Sequence, residues 1–225
     1  MDNHKALRLY GTPALESSFS AFLGLSFFST AFQDRILLHC CCGPCSTAIL
    51  EWMVEEGLRP GLFFSNSNIV PFDEYVKRRD ELARYAASFG LEVTDDEYDH
   101  SAWLEFVRSR CRSAEVLAGP ERGPRCVACF EFRLRRAAEY AATHGYSILT
   151  TTLASSRWKV LSQVDDAGRR AVLAFQREKL DEQKLIWWPQ NWRKGGLQER
   201  RNFLIKSCAL YNQTWCGCEF SQRNL

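Results

Sequence analysis

The chain has 225 residues, of which 46% are hydrophobic and 25% charged, a composition typical of a globular protein with a buried core. Its 29 basic and 27 acidic side chains leave a formal net charge of +2, which excludes a highly basic nucleic-acid-binding arm and an acidic disordered chain. No stretch is long and apolar enough for a membrane span, and the first residues lack the pattern of a signal peptide. We therefore expect a cytoplasmic protein without a membrane partner, in which thiols stay reduced.

The pattern predicts an N-terminal extension over residues 1–33, part of it an apolar helix, followed by one α/β domain over residues 34–225. The predicted strands are 36–39, 61–65, 91–94 and 146–153. The predicted helices are 46–56, 73–89, one beginning at Ser101, and one that runs from Cys126 to Gly145. Strands that alternate with helices are typical of βαβ units and a parallel sheet. Residues 154–225 are predicted to be a helical and irregular appendage of this domain.

Cysteine is the unusual residue, with ten copies in the chain. Seven of them form three tight groups, which are Cys41-Cys42-x-x-Cys45, Cys126-x-x-Cys129 and Cys216-Gly217-Cys218. The first two groups lie at predicted helix starts, where the partial positive charge favours the thiolate that a metal needs. Since soft sulfur ligands select iron–sulfur clusters or zinc, the pattern predicts a metal centre. Cys40, Cys111 and Cys208 are interpreted as packing residues.

Two other interpretations remain open at this point. Cys42-Gly43-Pro44-Cys45 is the dithiol pattern of thioredoxin-type enzymes, which would make the chain a thiol–disulfide oxidoreductase. Alternatively, the first two groups bind zinc in a nucleic-acid-binding module without catalysis. Cys216 and Cys218 are too close for an unstrained disulfide bond, so they are either a metal-adjacent or redox-active pair, or a structural turn.

Two basic segments are compatible with an RNA partner. Residues 122–136 contain five arginines and one glutamate, and residues 193–206 contain five basic residues and one glutamate. Trp187, Trp188 and Trp192 precede the second segment. Aromatic rings beside cationic side chains suit an unstacked base and its phosphates, although a solvated helix face has the same composition.

The motifs in this order resemble the family of cobalamin-independent epoxyqueuosine reductases of the QueH type, over about residues 35–221. The matching residues are His39-x-Cys41-Cys42-x-Pro44-Cys45, Asn66-x-Asn68-Ile69-x-Pro71, Glu74-Tyr75-x-x-Arg78, Tyr98-Asp99, Cys126-x-x-Cys129-Phe130, Arg133-Leu134, Thr151-Thr152-Leu153 and Tyr211-x-Gln213-x-Trp215-Cys216-Gly217-Cys218-x-x-Ser221. The chain departs from the family pattern at Ser67, Val70, Arg157 and Trp215. Ser67 and Val70 leave the local substrate contacts open, whereas no departure removes a thiol or a carboxylate.

The resemblance implies a Rossmann-like fold of the adenine nucleotide α-hydrolase (HUP) group. It also implies a [4Fe–4S] cluster beside a mononuclear iron, and reduction of epoxyqueuosine at the wobble position of tRNA. The chain lacks the phosphate loop of nucleotide-activating relatives, so no use of ATP is predicted. Removing an epoxide oxygen needs two electrons and two protons, and the electrons must come from a cofactor and a low-potential donor.

We assign Cys42, Cys126 and Cys129 to the cluster, and Cys41 with Asp99 to the single iron, as a hypothesis. Carboxylate suits the harder single iron, but Asp99 can equally be a helix cap or a solvated loop acid. Cys45 is either a further ligand or a packing residue.

Two residues are candidate proton donors for the reaction. His39 ends the first predicted strand, where a hydrogen bond to the backbone is the simpler interpretation. Tyr98 follows the third predicted strand. The residue patterns do not choose between them.

Overall fold

The computed structural model describes residues 35–178 and 185–221; the predicted extension over residues 1–33 lies outside the described residues. The strands are β1 (Ile36–His39), β2 (Gly61–Phe64), β3 (Val93–Asp95), β4 (Ile148–Thr151) and β5 (Ile186–Trp187). The helices are α1 (Gly43–Glu55), α2 (Phe72–Ala87), α3 (His100–Arg110), α4 (Ala114–Ala118), α5 (Pro124–Thr143), α6 (Leu161–Glu178) and α7 (Leu197–Ser207), with a 3-10 turn at Thr152–Ser155. Among these helices none is long and apolar enough to cross a membrane.

The five strands form one parallel sheet in the order β3-β2-β1-β4-β5. In the centre, Leu38 of β1 lies opposite Leu62 of β2 on one side and Thr150 of β4 on the other. The predicted Rossmann-like α/β class is therefore confirmed. The strand order reverses between β1 and β4, and ligands of such sheets bind in the crevice outside the carboxyl ends of the strands at that point.

Helices cover both faces of the sheet, which explains why β1 is a continuous apolar run. Leu38 packs into one core cluster with Met53 of α1, whereas its neighbour Leu37 packs into another with Leu134 of α5. Successive side chains of a strand point to opposite faces, so each face of β1 needs apolar residues. The sheet thus lies between two layers of helices. Its two faces are covered, so a ligand has to bind at the ends of the strands.

The segment predicted as a helical and irregular appendage contributes to the sheet itself. Ile186 of β5 lies opposite Ile148 of β4, while α6 packs on α5 and α7 packs on α1. The prediction missed β5 because two residues are too few to show a strand pattern. The third strand is also shifted, since it covers residues 93–95 instead of 91–94.

The expectation that three tryptophans accompany the basic segment as stacking rings is wrong. Trp187, Trp188 and Trp192 are all buried, with at most 7% of their surface exposed. The rings of Trp188 and Trp192 lie 6.5 and 5.6 Å from that of Trp52 of α1. These indoles stabilise the packing around β5 and α7, and they are not available to RNA.

Candidate metal and RNA site

The first cysteine group occupies the turn from β1 to α1. The backbone N–H of Cys40 donates to Phe63 O at 2.8 Å and ends the strand pairing, and Cys42 is the N-cap of α1. Pro44 fits the first helical turn because its missing N–H has no partner there in any helix. The Sγ atoms of Cys41, Cys42 and Cys45 all lie within 4.8 Å of one another. We call these three residues the thiol triad; it includes Cys45, whose role the sequence left open.

Two distant segments hold the thiol triad in place. Thr152, directly after β4, accepts a hydrogen bond from Cys41 N at 2.9 Å, and its hydroxyl donates to Cys41 Sγ at 3.3 Å. The amide of Gln213 donates to Cys42 Sγ at 2.8 Å. The triad thus lies between the ends of β1 and β4, where the strand order reverses.

The three thiols are not equivalent in acidity. Hydrogen bonds from Cys41 and Cys42 hold the pKa of the Cys45 thiol well below its usual range. Contacts with Cys41 and Cys45, together with burial, raise the pKa of the Cys42 thiol. A thiolate at Cys45 would thus accept hydrogen bonds from its two neighbours.

The thiol triad lines a solvent-connected cavity of about 780 Å³, within the usual size range of ligand pockets. The segment 212–216 also lines this cavity. One acid, Glu121, faces the cavity, together with a set of basic side chains that favours an anionic ligand. The basic lining residues are Arg78, Arg122, Arg133, Arg157, Lys159 and Arg201.

Members of the other two cysteine groups reach the same region. A void of about 20 Å³ is lined by Cys126, Lys159 and Cys216, and the last two also line the large cavity. Cys126 packs against the same core cluster as the thiol triad. Burial lowers the pKa of Lys159, but the electrostatic effect of Cys216, Cys41 and Cys45 outweighs it and raises the pKa.

The second cysteine of each of these groups lies behind the cavity. Cys129 and Cys218 are buried in one cluster with Trp103 and Phe220. Burial raises the pKa of Cys129 to about 12 and that of Cys218 to about 11. All ten cysteines lie among the described residues and all are free thiols.

The Cys216–Cys218 turn is held by α2 and by the loop before it. Gly217 O accepts a hydrogen bond from Val70 N at 2.9 Å, and Arg78 donates to Cys216 O at 3.0 Å. Arg78 also forms a buried ion pair with Glu74 at 2.6 Å. The sequence motif contained Arg78 and Glu74 without indicating a role. The structure gives them one, because they fix a segment that lines the cavity.

Besides Cys126, Cys129 and Cys218, three further predicted site residues do not line the large cavity. Burial, with the charge of Arg133, lowers the pKa of His39 to about 3; its Nε2 donates to Ser65 O at 3.1 Å and its Nδ1 hydrogen-bonds with Thr151 Oγ1 at 2.7 Å. The Tyr98 hydroxyl donates to a backbone carbonyl at 2.8 Å. Asp99 is the N-cap of α3, where Oδ1 accepts from Ala102 N at 2.9 Å.

The residues that sequence reasoning missed include Lys159 and Gln213. Nothing in the sequence around Lys159 indicated a functional role, because it is a single lysine in a turn. Gln213 was part of a matching motif, but its spacing from the first cysteine group gave no indication that the two meet. Both contribute side chains to the cavity wall.

Comparison with known proteins shows which family this chain resembles. The sequence model of the family described as epoxyqueuosine reductase QueH matches residues 36–224. Proteins named epoxyqueuosine reductase QueH are 39% identical over 192 residues in Haemophilus influenzae, 36% over 191 in Acinetobacter baylyi and 31% over 190 in Thermotoga maritima. The matches cover 84–85% of this chain, and 73%, 82% and 91% of these relatives, respectively.

Proposed function

This chain belongs to the epoxyqueuosine reductase QueH family, and we propose that it reduces the epoxide of epoxyqueuosine in tRNA to the cyclopentene of queuosine. The observation that carries this proposal is the thiol triad, which opens into a positively charged cavity at the switch point of the sheet. In such a cavity, an anionic substrate would bind next to thiols that can hold a redox cofactor.

The residues present fit an iron–sulfur cofactor. Three buried Sγ atoms within 4.8 Å of one another are a soft donor set, and Cys126 lies against the same core cluster. We propose a [4Fe–4S] cluster with Cys42, Cys126 and Cys129 among its ligands, and Cys45 as a further candidate. Cys129 would have to turn from the cluster of buried residues in which it packs.

A second, mononuclear iron is also part of the proposal, with Cys41 and Asp99 as its ligands. Asp99 caps α3 through Oδ1, so ligation requires its carboxylate to leave or share that cap. The alternative carboxylate in the cavity lining is Glu121. Asp99→Ala and Glu121→Ala variants, stripped of iron and then reloaded, would separate them. The variant that fails to rebind the single iron identifies its carboxylate ligand.

Deoxygenation of an epoxide consumes two electrons and two protons and releases the oxygen as water. When bound, the iron cofactor supplies the electrons and a Lewis acid for the departing oxygen. The chain itself provides the rest. Arg122 and Arg201 offer cationic contacts for phosphates at the cavity wall, and Lys159 lines the cavity beside the thiols, where its ammonium would stabilise a developing alkoxide.

The partners follow from the same proposal. The substrate is tRNA that carries epoxyqueuosine, and a low-potential electron donor must reload the cofactor. We expect the reaction to take place in the cytoplasm, where tRNA is found and thiols stay reduced.

Anaerobic purification of the whole chain tests the proposal against its two alternatives. We expect brown protein with iron and acid-labile sulfide that converts epoxyqueuosine in tRNA, measured by mass spectrometry of the nucleosides. Stoichiometric zinc in colourless protein would favour the nucleic-acid-binding module. Metal-free protein that exchanges disulfides through Cys42 and Cys45 would favour the dithiol enzyme.

A matched pair of variants locates the site. Cys126→Ala should lose the cluster absorbance and leave epoxyqueuosine unreduced, because it removes a proposed ligand. Cys111→Ala should keep both, since Cys111 lies at the end of α3 and does not line the cavity. Full activity of Cys126→Ala would contradict the proposed site.

A further inference from the structure

One tryptophan of the cavity wall differs from the buried ones. Trp158 exposes 61% of its surface and lines both the large cavity and the adjoining void. It lies in the turn between the 3-10 segment and α6. An indole with this exposure leaves a large flat apolar surface in water, which is typical of a ring that contacts a partner.

The backbone of this turn is held from two sides. Arg122 Nε donates to Trp158 O at 3.0 Å, and Arg193 Nη2 donates to Lys159 O at 2.8 Å. Within the turn, Lys159 N donates to Ser156 O at 3.1 Å. The exposed ring is therefore presented by a fixed main chain, so that binding a partner needs little ordering of the backbone.

The electrostatic surroundings of the ring fit a nucleic acid. The guanidinium carbon of Arg157 lies 4.8 Å from the centroid of the Trp158 ring. Arg122 and Lys159 line the cavity beside it, where Glu121 is the acid. A planar aromatic surface within a cationic rim suits single-stranded RNA, whose bases stack on tryptophan and arginine while its phosphates contact the cations.

We propose that Trp158, together with Arg157, forms a stacking platform for an unpaired base of the tRNA anticodon loop that flanks the modified nucleotide. This inference rests on the proposed function, because it assumes that the modified nucleotide enters the cavity. The flanking base then remains at the cavity mouth, where Trp158 offers its exposed ring.

The test uses anticodon stem–loop RNAs that carry 2-aminopurine immediately before or immediately after the wobble position. Stacking on Trp158 should quench the fluorescence of one of these probes on binding to the wild-type holoenzyme. Trp158→Ala should abolish that quenching, weaken stem–loop binding about tenfold and raise KM for the tRNA to a similar extent with kcat nearly unchanged. Trp158→Phe should restore most of the quenching and affinity.

Leu173→Ala is the matched control, because Leu173 of α6 is also exposed, at 51%, and does not line the cavity. The proposal is overturned if Trp158→Ala keeps both the quenching and the affinity. It is equally overturned if the loss of affinity is the same for a fully paired RNA, since the ring would then not read an unpaired base. Failure of the proposed function gives a different result, in which wild-type protein quenches the probe but leaves the epoxide intact.

Discussion

The amide of Gln213 donates a 2.8 Å hydrogen bond to the Sγ of Cys42, although the two residues are 171 positions apart in the sequence. This contact joins the last segment of the fold to the first turn of α1. A donor aimed at a sulfur stabilises its thiolate and orients it, which is the role of partners around the ligands of a metal site.

Replacing this donor should loosen the metal. We expect Gln213→Leu to lower iron affinity or turnover by about 10- to 100-fold, because Cys42 loses the partner of its thiolate. The measurement is the chelator concentration that removes half of the iron. Gln198→Leu serves as control, since Gln198 lines the cavity and no hydrogen bond to a thiol is described for it. Equal iron retention by the two variants would argue against this role.

Cys45 should be required for metal binding although its role was open from the sequence. Cys45→Ser keeps the size of the side chain but removes a soft ligand, and we expect it to lose most of the bound iron. Cys208→Ser, at the C-cap of α7, should retain it. Iron content and visible absorbance of the anaerobically purified variants provide the measurement, and an intact cluster in Cys45→Ser would make Cys45 a packing residue.

Gly217 should tolerate no side chain. Its φ of +120° is disfavoured for other residues, and an added Cβ would lie 2.9 Å from Ile69 Cγ1 and 3.1 Å from Arg78 Nη1. We expect Gly217→Ala to destabilise the protein by about 1–3 kcal/mol and to reduce turnover, because the turn that carries Cys216 must shift.

A second glycine with a positive φ shows the effect of an added Cβ that meets no neighbouring atom. Gly90 also has a positive φ, of +66°, but no heavy atom lies within 4 Å of an added Cβ. Gly90→Ala should therefore lower the melting temperature less and leave turnover unchanged. Similar effects of the two substitutions on turnover would show that the position of the Cys216 turn is not needed.

Local sequence was sufficient to predict the centre of the fold and one part of the site. Strand β1, the cysteine turn and helix α1 follow one another within about twenty residues, and their apolar spacing and proline pattern act locally. The same is true of α5, which begins with Pro124 and carries Cys126 in its first turn. Both helix starts contribute to one core cluster, which contains the thiol triad and against which Cys126 packs.

Features that depend on tertiary contacts could not be predicted. Trp187 and Trp158 are the same residue type, yet one is buried beside β4 and the other is exposed at the cavity, because burial is decided by what packs against each ring. Asp99 looked like a possible ligand since it follows a strand. A helix cap was the equal alternative, and the structure shows that its carboxylate caps α3.

The contacts of residues 211–217 with the rest of the molecule also bear on how the protein matures. All other lining residues of the cavity except Ser221 are synthesised earlier, so a nascent chain emerging from the ribosome presents the first cysteine turn before Gln213 and Cys216 have been translated. A cysteine turn without this segment lacks the hydrogen bond from Gln213 to Cys42. Completion of the cavity therefore waits for the translation of this segment.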